Sequence, residues 1–262
     1  MDSMSPRSLS VCLVAVALTV AGCAELTSSA SNDAPVPTIG IGSEADGEVV
    51  VSADVRPTSN TVIDTVIDTV IIGDSITVID TVIMIGDSIT VASTPALQEV
   101  YEQLGFDEII IESKQGKRTA LSFGSNPSGV DIASFLVNSP DRDDDHSNEL
   151  WVVALGTNDI NQYGDAAERA AVINEMLQTI PEESSLIWVD TYFEDQSEGA
   201  DAINGSISDR VLDRGNSAIA RWSLVAADEG NLRDDGVHPR GQGSAVFANV
   251  ISATIVDFLQ LT

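Results

Sequence analysis

Two short stretches far apart in the chain carry side chains that could perform acyl transfer together. Residues 82–90, VIMIGDSIT, place Ser88 directly after an apolar run that suits a buried strand. Residues 235–238, DGVH, place Asp235 three positions before His238. A serine nucleophile needs a base to take its proton and a carboxylate to orient that base. We therefore predict that these three residues act together, although DGVHP also fits a purely structural turn.

Donors for an oxyanion are available in the same predicted region. The candidates are the N–H of Ser88, the N–H of Gly116 and the side-chain amide of Asn158. Gly116 follows a predicted strand over residues 108–111, and Asn158 belongs to GTND, which follows a second apolar run. Asn158 could instead only cap or turn the chain after that strand.

A duplication gives a second candidate serine. The heptapeptide IGDSITV occurs at residues 72–78 and again at 85–91, so both Ser75 and Ser88 follow the same motif. The first copy runs into another β-branched segment, whereas consecutive parallel strands need a crossover of a dozen or more residues, usually helical. We predict that Ser88 is the nucleophile and that residues 61–80, with the repeated TVID, are an extended or disordered duplication.

Metal chemistry is not predicted. The chain has only two histidines, and the two cysteines lie within the first 23 residues, so a histidine-rich metal site is excluded and no cofactor is expected. His146 stands in the acidic loop PDRDDDHSN, where we expect a solvated or salt-bridged imidazole. A calcium loop is a weak alternative, because His146 occupies the position where the sharp turn needs a glycine. Its ligands would be Asp141, Asp143, Asp145 and Glu149.

The elements that must position these groups alternate between strand and helix. Strands are predicted at residues 82–85, 108–111, 150–155, 186–189 and 218–226. Helices are predicted at residues 96–104, 128–137, 166–180, 200–212 and 244–259, the first beginning with Ser93-Thr94-Pro95 and the third capped by Asp165. This alternation is typical of an α/β domain whose parallel sheet is covered on both faces. The candidate residues then fall on one rim, at the carboxyl ends of the strands.

The N-terminal region predicts export. Arg7 precedes an apolar run over residues 9–20, which is short for a membrane span, and small residues then lead to Cys23. Residues 1–23 look like a bacterial lipoprotein signal with Cys23 as the lipid attachment site, and an ordinary signal peptide cut near Ala24 is the alternative. Residues 24–60 are predicted to be a flexible linker.

The charge of the chain limits its partners. Its 262 residues include 41 acidic and 12 basic side chains, a formal net charge of −29. Binding of nucleic acid needs clustered Lys and Arg, so no nucleic-acid partner is predicted. We interpret the acidity as a heavily solvated surface.

Four blocks resemble the SGNH (GDSL) hydrolases: GDS at 86–88, Gly116, GTND at 156–159 and DGVH at 235–238. The resemblance covers about residues 82–259 and makes 82–262 the predicted domain, after a repeat segment at 61–81. It implies a three-layer α/β/α sandwich with a five-stranded parallel sheet of flavodoxin-like order. It also implies a Ser88-His238-Asp235 triad without a metal, and Ser88, Gly116 and Asn158 around the oxyanion. The block around Gly116 matches in little beyond the glycine.

The stretches LWVVALGTND and DDGVHPRGQG look most like SGNH domains of membrane acyltransferases that O-acetylate cell-wall and surface polysaccharides. The 262 residues do not include the multi-span membrane domain that delivers the acyl donor in those proteins.

The expected function is that of an exported esterase, anchored to the membrane through Cys23. Its expected substrate is a short acyl ester, foremost acetyl, of carbohydrate or of a small molecule. One alternative is an acyltransferase that uses a donor from a separate membrane protein, and another is a non-catalytic surface lipoprotein. A long-chain lipase is disfavoured by the low aromatic content, 5%, and the lack of a lid-like apolar insertion.

Overall fold

The computed structural model describes residues 78–142 and 144–261, together with the backbone pairing of residues 71–72 and 75–76. The predicted signal peptide and lipobox with Cys23, the linker over residues 24–60 and the TVID copies before residue 71 lie outside the described residues.

A five-stranded parallel sheet organises the described chain. Its strands, in chain order, are β3 (Thr81–Gly86), β4 (Glu108–Ser113), β5 (Glu149–Ala154), β6 (Ser185–Val189) and β7 (Ser217–Ala220). Two short strands precede them and lie outside this sheet: β1 (Ile71–Ile72) and β2 (Ser75–Ile76). The large sheet has the order β4-β3-β5-β6-β7, and each neighbouring pair is parallel. The strand order reverses next to β3, so the carboxyl ends of β3 and β5 flank the point where open α/β sheets hold their ligands.

The duplicated segment does not extend this sheet. β1 and β2 form a separate two-stranded antiparallel sheet, with Ile72 opposite Ser75. Ser75 therefore lies within a small hairpin, whereas Ser88 follows a central strand of the large sheet.

Helices cover both faces of the large sheet. They are α1 (Ser88–Leu104), α2 (Gly129–Val137), α3 (Ala166–Thr179), α4 (Ser197–Val211) and α5 (Gly241–Leu261). Side chains alternate along β3: Val82 and Met84 pack with α1 and α5, while Ile83 and Ile85 pack with α2, α3 and α4. The predicted three-layer α/β/α fold is confirmed.

Helix α5 has the length and hydropathy of a membrane span over Gly241–Gln260. Its residues Phe247, Ile251 and Ile255 are nevertheless buried in the same core as Val82 and Met84. The apolar character of α5 is explained by its position against the sheet.

The predicted start of the first helix was wrong. The helix begins at Ser88 and not near residue 96, because the Asp87 side chain accepts a hydrogen bond from the Ile89 N–H (2.9 Å) and caps it. Pro95 lies inside α1 and does not mark its first turn. Thr94 Oγ1 donates to the Thr90 carbonyl there (2.9 Å).

Two predicted strands also needed correction. β4 was expected to be buried, but it is an edge strand with partly exposed side chains, because strand order depends on contacts that local periodicity does not encode. The last strand was predicted over residues 218–226 and ends at Ala220. The following residues form a 3₁₀ turn, Trp222–Leu224, in which Trp222 is fully buried.

Candidate active site

Ser88 stands at the junction of β3 and α1. Strand β3 ends at Gly86 and the helix begins two residues later, with Asp87 as its N-cap. As the first residue of the helix, Ser88 has an N–H with no intrahelical acceptor, and this group lies at the positive end of the helix dipole. The local fold thus presents a hydroxyl and an N–H donor at the same edge of the sheet.

A tight turn brings Asp235 and His238 together. The Arg233 N–H donates to the His238 carbonyl (2.8 Å), and Gly236 adopts φ +66°, a conformation that a residue with a side chain rarely takes. Asp235 Oδ1 accepts from the backbone N–H of Val237 (3.1 Å) and of His238 (2.9 Å). The other oxygen, Oδ2, lies 3.0 Å from His238 Nδ1.

The imidazole of His238 connects this turn with Ser88. His238 Nε2 lies 2.9 Å from Ser88 Oγ, although the two residues are 150 positions apart in the chain. A carboxylate at Nδ1 favours the tautomer with the proton on Nδ1, which leaves Nε2 free to accept the serine proton. The structure therefore brings together all three residues of the predicted triad.

The carboxylate of Asp235 is kept ionised by its own turn. The backbone N–H groups of His238 and Val237 donate to it, and together with the His238 side chain they lower the pKa of Asp235 to about 2. The side chains of His238 and Asp235 remain 34% and 46% exposed, so the pair is open to a substrate from solvent.

The triad faces a cavity of about 610 Å³. Two predicted oxyanion residues, Gly116 and Asn158, line the same cavity as Ser88 and His238. Gly116 adopts φ +72°, which a glycine permits, and its N–H donates to no acceptor among the described residues. This N–H therefore remains available for the predicted contact with an oxyanion. The remaining lining residues are Val91, Ala92, Gln115, Arg233 and Asp235.

Asn158 is held more tightly than the sequence suggested. Its Nδ2 donates to Asp87 Oδ2 (3.0 Å) and to the Lys117 carbonyl (3.1 Å). An amide nitrogen has two protons, so both are engaged in this state. Contact with a substrate oxygen requires Asn158 to share a proton with one of these acceptors, and its oxyanion role stays a prediction.

Asp87 is a site residue that the sequence reasoning missed. Its side chain is buried and caps Ile89 while it accepts from Asn158. Desolvation by burial raises the pKa of Asp87 to about 7, against the opposing effects of the Ile89 N–H and of the positive charge that His238 carries when it is protonated. The only indication of this role in the sequence is the position of Asp87 between Gly86 and Ser88, and the local pattern there predicts only a turn.

Asp159 is a second residue with an unpredicted role. Its Oδ2 accepts from the Thr119 N–H (3.0 Å) and Thr119 Oγ1 (2.8 Å), and Tyr163 donates to its Oδ1 (3.1 Å). These contacts join the turn that carries Asn158 to the loop that carries Gly116. Burial raises the pKa of Asp159, and the Thr119 donors oppose that shift.

His146 lies away from this site. Its Nδ1 is 2.9 Å from Glu149 Oε1, and both side chains are buried, so the imidazole is paired with a carboxylate and is not solvated. Glu149 also pairs with Arg142 and accepts from Trp151 Nε1 (2.8 Å). These contacts occupy Glu149, one of the four predicted calcium ligands, and another, Asp143, lies outside the described residues. No group of three or more His, Cys, Asp or Glu side chains is placed to hold a metal ion within the described part of the chain.

Solved structures share this architecture. A carbohydrate acetylesterase family member from Sinorhizobium meliloti superimposes with a TM-score of 0.54 at 18% identity, covering 69% of this chain and 99% of its own. A family 3 carbohydrate esterase from Clostridium thermocellum gives 0.51 at 17% identity, with 69% and 97% covered. The fold is that of the SGNH hydrolases. No protein-family model and no curated protein sequence matches the chain.

A transferase domain has the same fold. The C-terminal catalytic domain of peptidoglycan O-acetyltransferase A from Streptococcus pneumoniae gives a TM-score of 0.51 at 17% identity, covering 69% of this chain and 95% of its own. The SGNH hydrolase fold therefore serves both ester hydrolysis and acyl transfer among these structures, and the choice between them depends on the site.

Proposed function

We propose that the protein is a serine esterase that hydrolyses short acyl esters, foremost acetyl esters of carbohydrate or of small molecules. The observation that carries the proposal is the continuous contact from Asp235 through His238 to Ser88, with distances of 3.0 and 2.9 Å, at the wall of an open cavity. A purely structural role for Ser88 would not explain why its hydroxyl contacts a histidine that is oriented by a carboxylate.

The reaction follows from this geometry. Ser88 Oγ attacks the acyl carbon while its proton passes to His238 Nε2, and the carbonyl oxygen becomes an oxyanion near the N–H groups of Ser88 and Gly116. The intermediate collapses, the C–O bond to the alcohol breaks, and the alcohol leaves with the proton from Nε2. A water molecule then attacks the acyl-serine by the same steps and releases the carboxylic acid.

The preference for a short acyl group rests on the cavity wall. Beside Ser88, the aliphatic lining consists of Val91 and Ala92, which offer a small apolar surface, and the remaining lining is mostly polar. A long alkyl chain needs an extended apolar channel, which these two side chains do not provide. Two of the structural neighbours described above are carbohydrate esterases, which supports a carbohydrate ester as substrate.

Transfer of the acyl group to a sugar is the second candidate, because the pneumococcal domain with this fold is an O-acetyltransferase. Both reactions share the acyl-serine and differ in the acceptor, water or a sugar hydroxyl. Product analysis with p-nitrophenyl acetate, in the presence and absence of an oligosaccharide acceptor, separates them. Acetate alone indicates hydrolysis, and acetylated oligosaccharide indicates transfer.

The proposal includes export and a lipid anchor at Cys23, supported by the basic residue, the apolar run and the small residues that precede this cysteine. Incorporation of radiolabelled palmitate by intact cells tests it. We expect labelling of the wild type and none of Cys23→Ser. Equal labelling of both would contradict the anchor without affecting the proposed reaction.

The choice of serine is tested with a fluorophosphonate probe, which reacts with activated serines. We expect the probe to label the wild type and the Ser75→Ala variant but not Ser88→Ala. Ser75 is a matched control because it lies in the duplicated copy of the same heptapeptide. Labelling that survives Ser88→Ala in folded protein would refute the proposed nucleophile.

A further inference from the structure

One arginine shares the cavity with the triad in a strongly acidic chain. Arg233 lines the cavity together with Ser88 and His238, and it is the one Lys or Arg among the lining residues of this cavity. The chain as a whole has 12 basic residues against 41 acidic ones. The long-range field of such a protein disfavours anions, so a cation at this place acts through short-range contact.

The turn that carries the triad also holds Arg233. Its N–H donates to the His238 carbonyl (2.8 Å), its carbonyl accepts from the Gly236 N–H (3.1 Å), and its side-chain Nε donates to the Pro239 carbonyl (3.2 Å). The guanidinium is therefore fixed at one edge, by the same segment that positions Asp235 and His238.

The two terminal nitrogens of Arg233 have no protein acceptor among the described residues. The carboxylates closest in sequence are engaged elsewhere, since Asp234 pairs with Arg240 (2.5 Å) and Asp235 pairs with His238 (3.0 Å). By contrast, Arg142 and Arg221 each form an ion pair with a carboxylate. Arg233 thus has free guanidinium donors and lines the same cavity as the Ser88 hydroxyl.

We propose that Arg233 binds a carboxylate on the alcohol part of the substrate, so that the preferred substrates are acyl esters of acidic sugars. This inference rests on the proposed function. The planar guanidinium offers paired donors that match the two oxygens of a carboxylate. A singly charged group is favoured over a doubly charged phosphate, because Asp235 lies in the same cavity.

The carboxylate belongs to the alcohol part for a geometric reason. A short acyl group is accommodated beside Ser88 by the aliphatic surface of Val91 and Ala92, whereas Arg233 comes from the turn that carries His238. His238 returns its proton to the leaving alcohol, so the alcohol part lies on the side of the cavity formed by this turn. The sugar is then the part of the substrate that reaches Arg233.

The test uses two substrates that differ in one group: the O-acetylated methyl glycoside of glucuronic acid and the equally acetylated methyl glucoside. The measured quantity is the ratio of kcat/KM for the acidic ester to that for the neutral ester. We expect Arg233→Gln to lower this ratio about fivefold to tenfold, as for one solvent-exposed ion pair or slightly more. Arg233→Lys retains the positive charge but not the paired donors of the guanidinium, so an intermediate ratio is expected.

Arg210→Gln is the control for net charge, because Arg210 is exposed on α4 and does not line the cavity. We expect it to leave both activities and their ratio unchanged. An unchanged ratio in Arg233→Gln, or an equal loss on both substrates, would overturn the role of Arg233 while the esterase proposal stands. Absence of wild-type turnover of both sugar esters and of p-nitrophenyl acetate would refute the proposed function, and this inference with it.

Discussion

Two histidine–carboxylate pairs with the same spacing lie at opposite ends of the sheet. In both, the imidazole Nδ1 lies about 3 Å from a carboxylate three residues away: 3.0 Å for His238 and Asp235, and 2.9 Å for His146 and Glu149. The first pair lies near the carboxyl end of β3, and the second lies where β5 begins.

The surroundings of the two pairs assign them different roles. Glu149 is closed in by Arg142 and Trp151, and the side chains of His146 and Glu149 are only 9% and 4% exposed. His238 instead has the hydroxyl of Ser88 at Nε2 and is 34% exposed beside the cavity. A histidine paired with a carboxylate therefore does not by itself indicate a catalytic site. The partner of the second ring nitrogen, here the Ser88 hydroxyl, is the more informative feature.

Exchange of each histidine for glutamine is the strongest test of this comparison. We expect His238→Gln to lower kcat for p-nitrophenyl acetate by about 10⁴-fold, because no base is left to take the serine proton. His146→Gln should retain near wild-type kcat and lose thermal stability, because it disturbs the buried contact with Glu149. A comparable loss of kcat in folded His146→Gln would remove the distinction between the two ends.

The second test removes the carboxylate of the structural pair. Glu149→Gln leaves the buried Arg142 guanidinium without its close partner, and we expect a loss of about 3–5 kcal/mol in the free energy of unfolding, measured with urea. Glu108→Gln is the control, since Glu108 is 57% exposed and lies 3.8 Å from Arg142. Its expected cost is under about 1 kcal/mol. Similar costs for the two variants would show that the buried end is not a closed ion-pair cluster.

A third test asks whether Asn158 contributes to the reaction or only to the turn. Asn158→Ala should lower kcat by about 10²–10³-fold if the amide shares a proton with the oxyanion. Asn138→Ala is the control, because Asn138 is a helix C-cap whose side chain donates to the Ser134 carbonyl on the surface. A loss of stability in Asn158→Ala with unchanged kcat would mean that its contacts with Asp87 and Lys117 are its whole function.

The smallest expected effect concerns the buried carboxylate at the site end. Unlike Glu149, Asp87 forms no ion pair with a Lys or Arg of the described residues, and burial raises its pKa to about 7 from an ordinary 3.8. The folded state therefore binds a proton that the unfolded state releases between these values. Protonation of Asp87 in the folded state therefore stabilises the protein at low pH, and this stabilisation is lost as the pH rises to about 7.

Asp87→Asn retains a cap for Ile89 and removes the titration. We expect the stability of the variant relative to the wild type to increase between about pH 5 and about pH 7, by at most about 1.4 kcal/mol per pH unit. Urea unfolding of both proteins across this range measures the difference. Parallel pH profiles would contradict the raised pKa, whatever constant offset the loss of the Asn158 contact introduces.

Much of the fold could be predicted from local sequence. Apolar runs located the strands, and Asp165 caps α3 as predicted. The helix predicted over 128–137 begins at Gly129, because Ser128 is its N-cap. The start of α1 was missed because Pro95 resembles a first-turn residue, while the true cap, Asp87, belonged to a motif already assigned to chemistry. The exposure of β4 was missed because the order of strands is set by contacts between distant segments.

The site was predictable in its residue types and not in its supporting contacts. The motifs identified Ser88, Asp235 and His238, which the structure places within hydrogen-bonding distance. Asn158 is hydrogen-bonded to Asp87, whereas the terminal nitrogens of Arg233 have no acceptor within the described part of the chain. Both facts depend on how the polar side chains pair in the folded protein. Such pairing is a property of the assembled fold, so no local pattern could reveal it.

Trapping of the acyl-enzyme is the most direct test of the central claim that Ser88, activated by His238 and Asp235, is the nucleophile. Rapid acid quench of the protein with p-nitrophenyl acetate, followed by peptide mass spectrometry, should find one acetyl group on the peptide that contains Ser88, formed together with a burst of p-nitrophenol. Turnover with the acetyl group on another residue, or with none on Ser88 under conditions that trap a burst, would contradict the account.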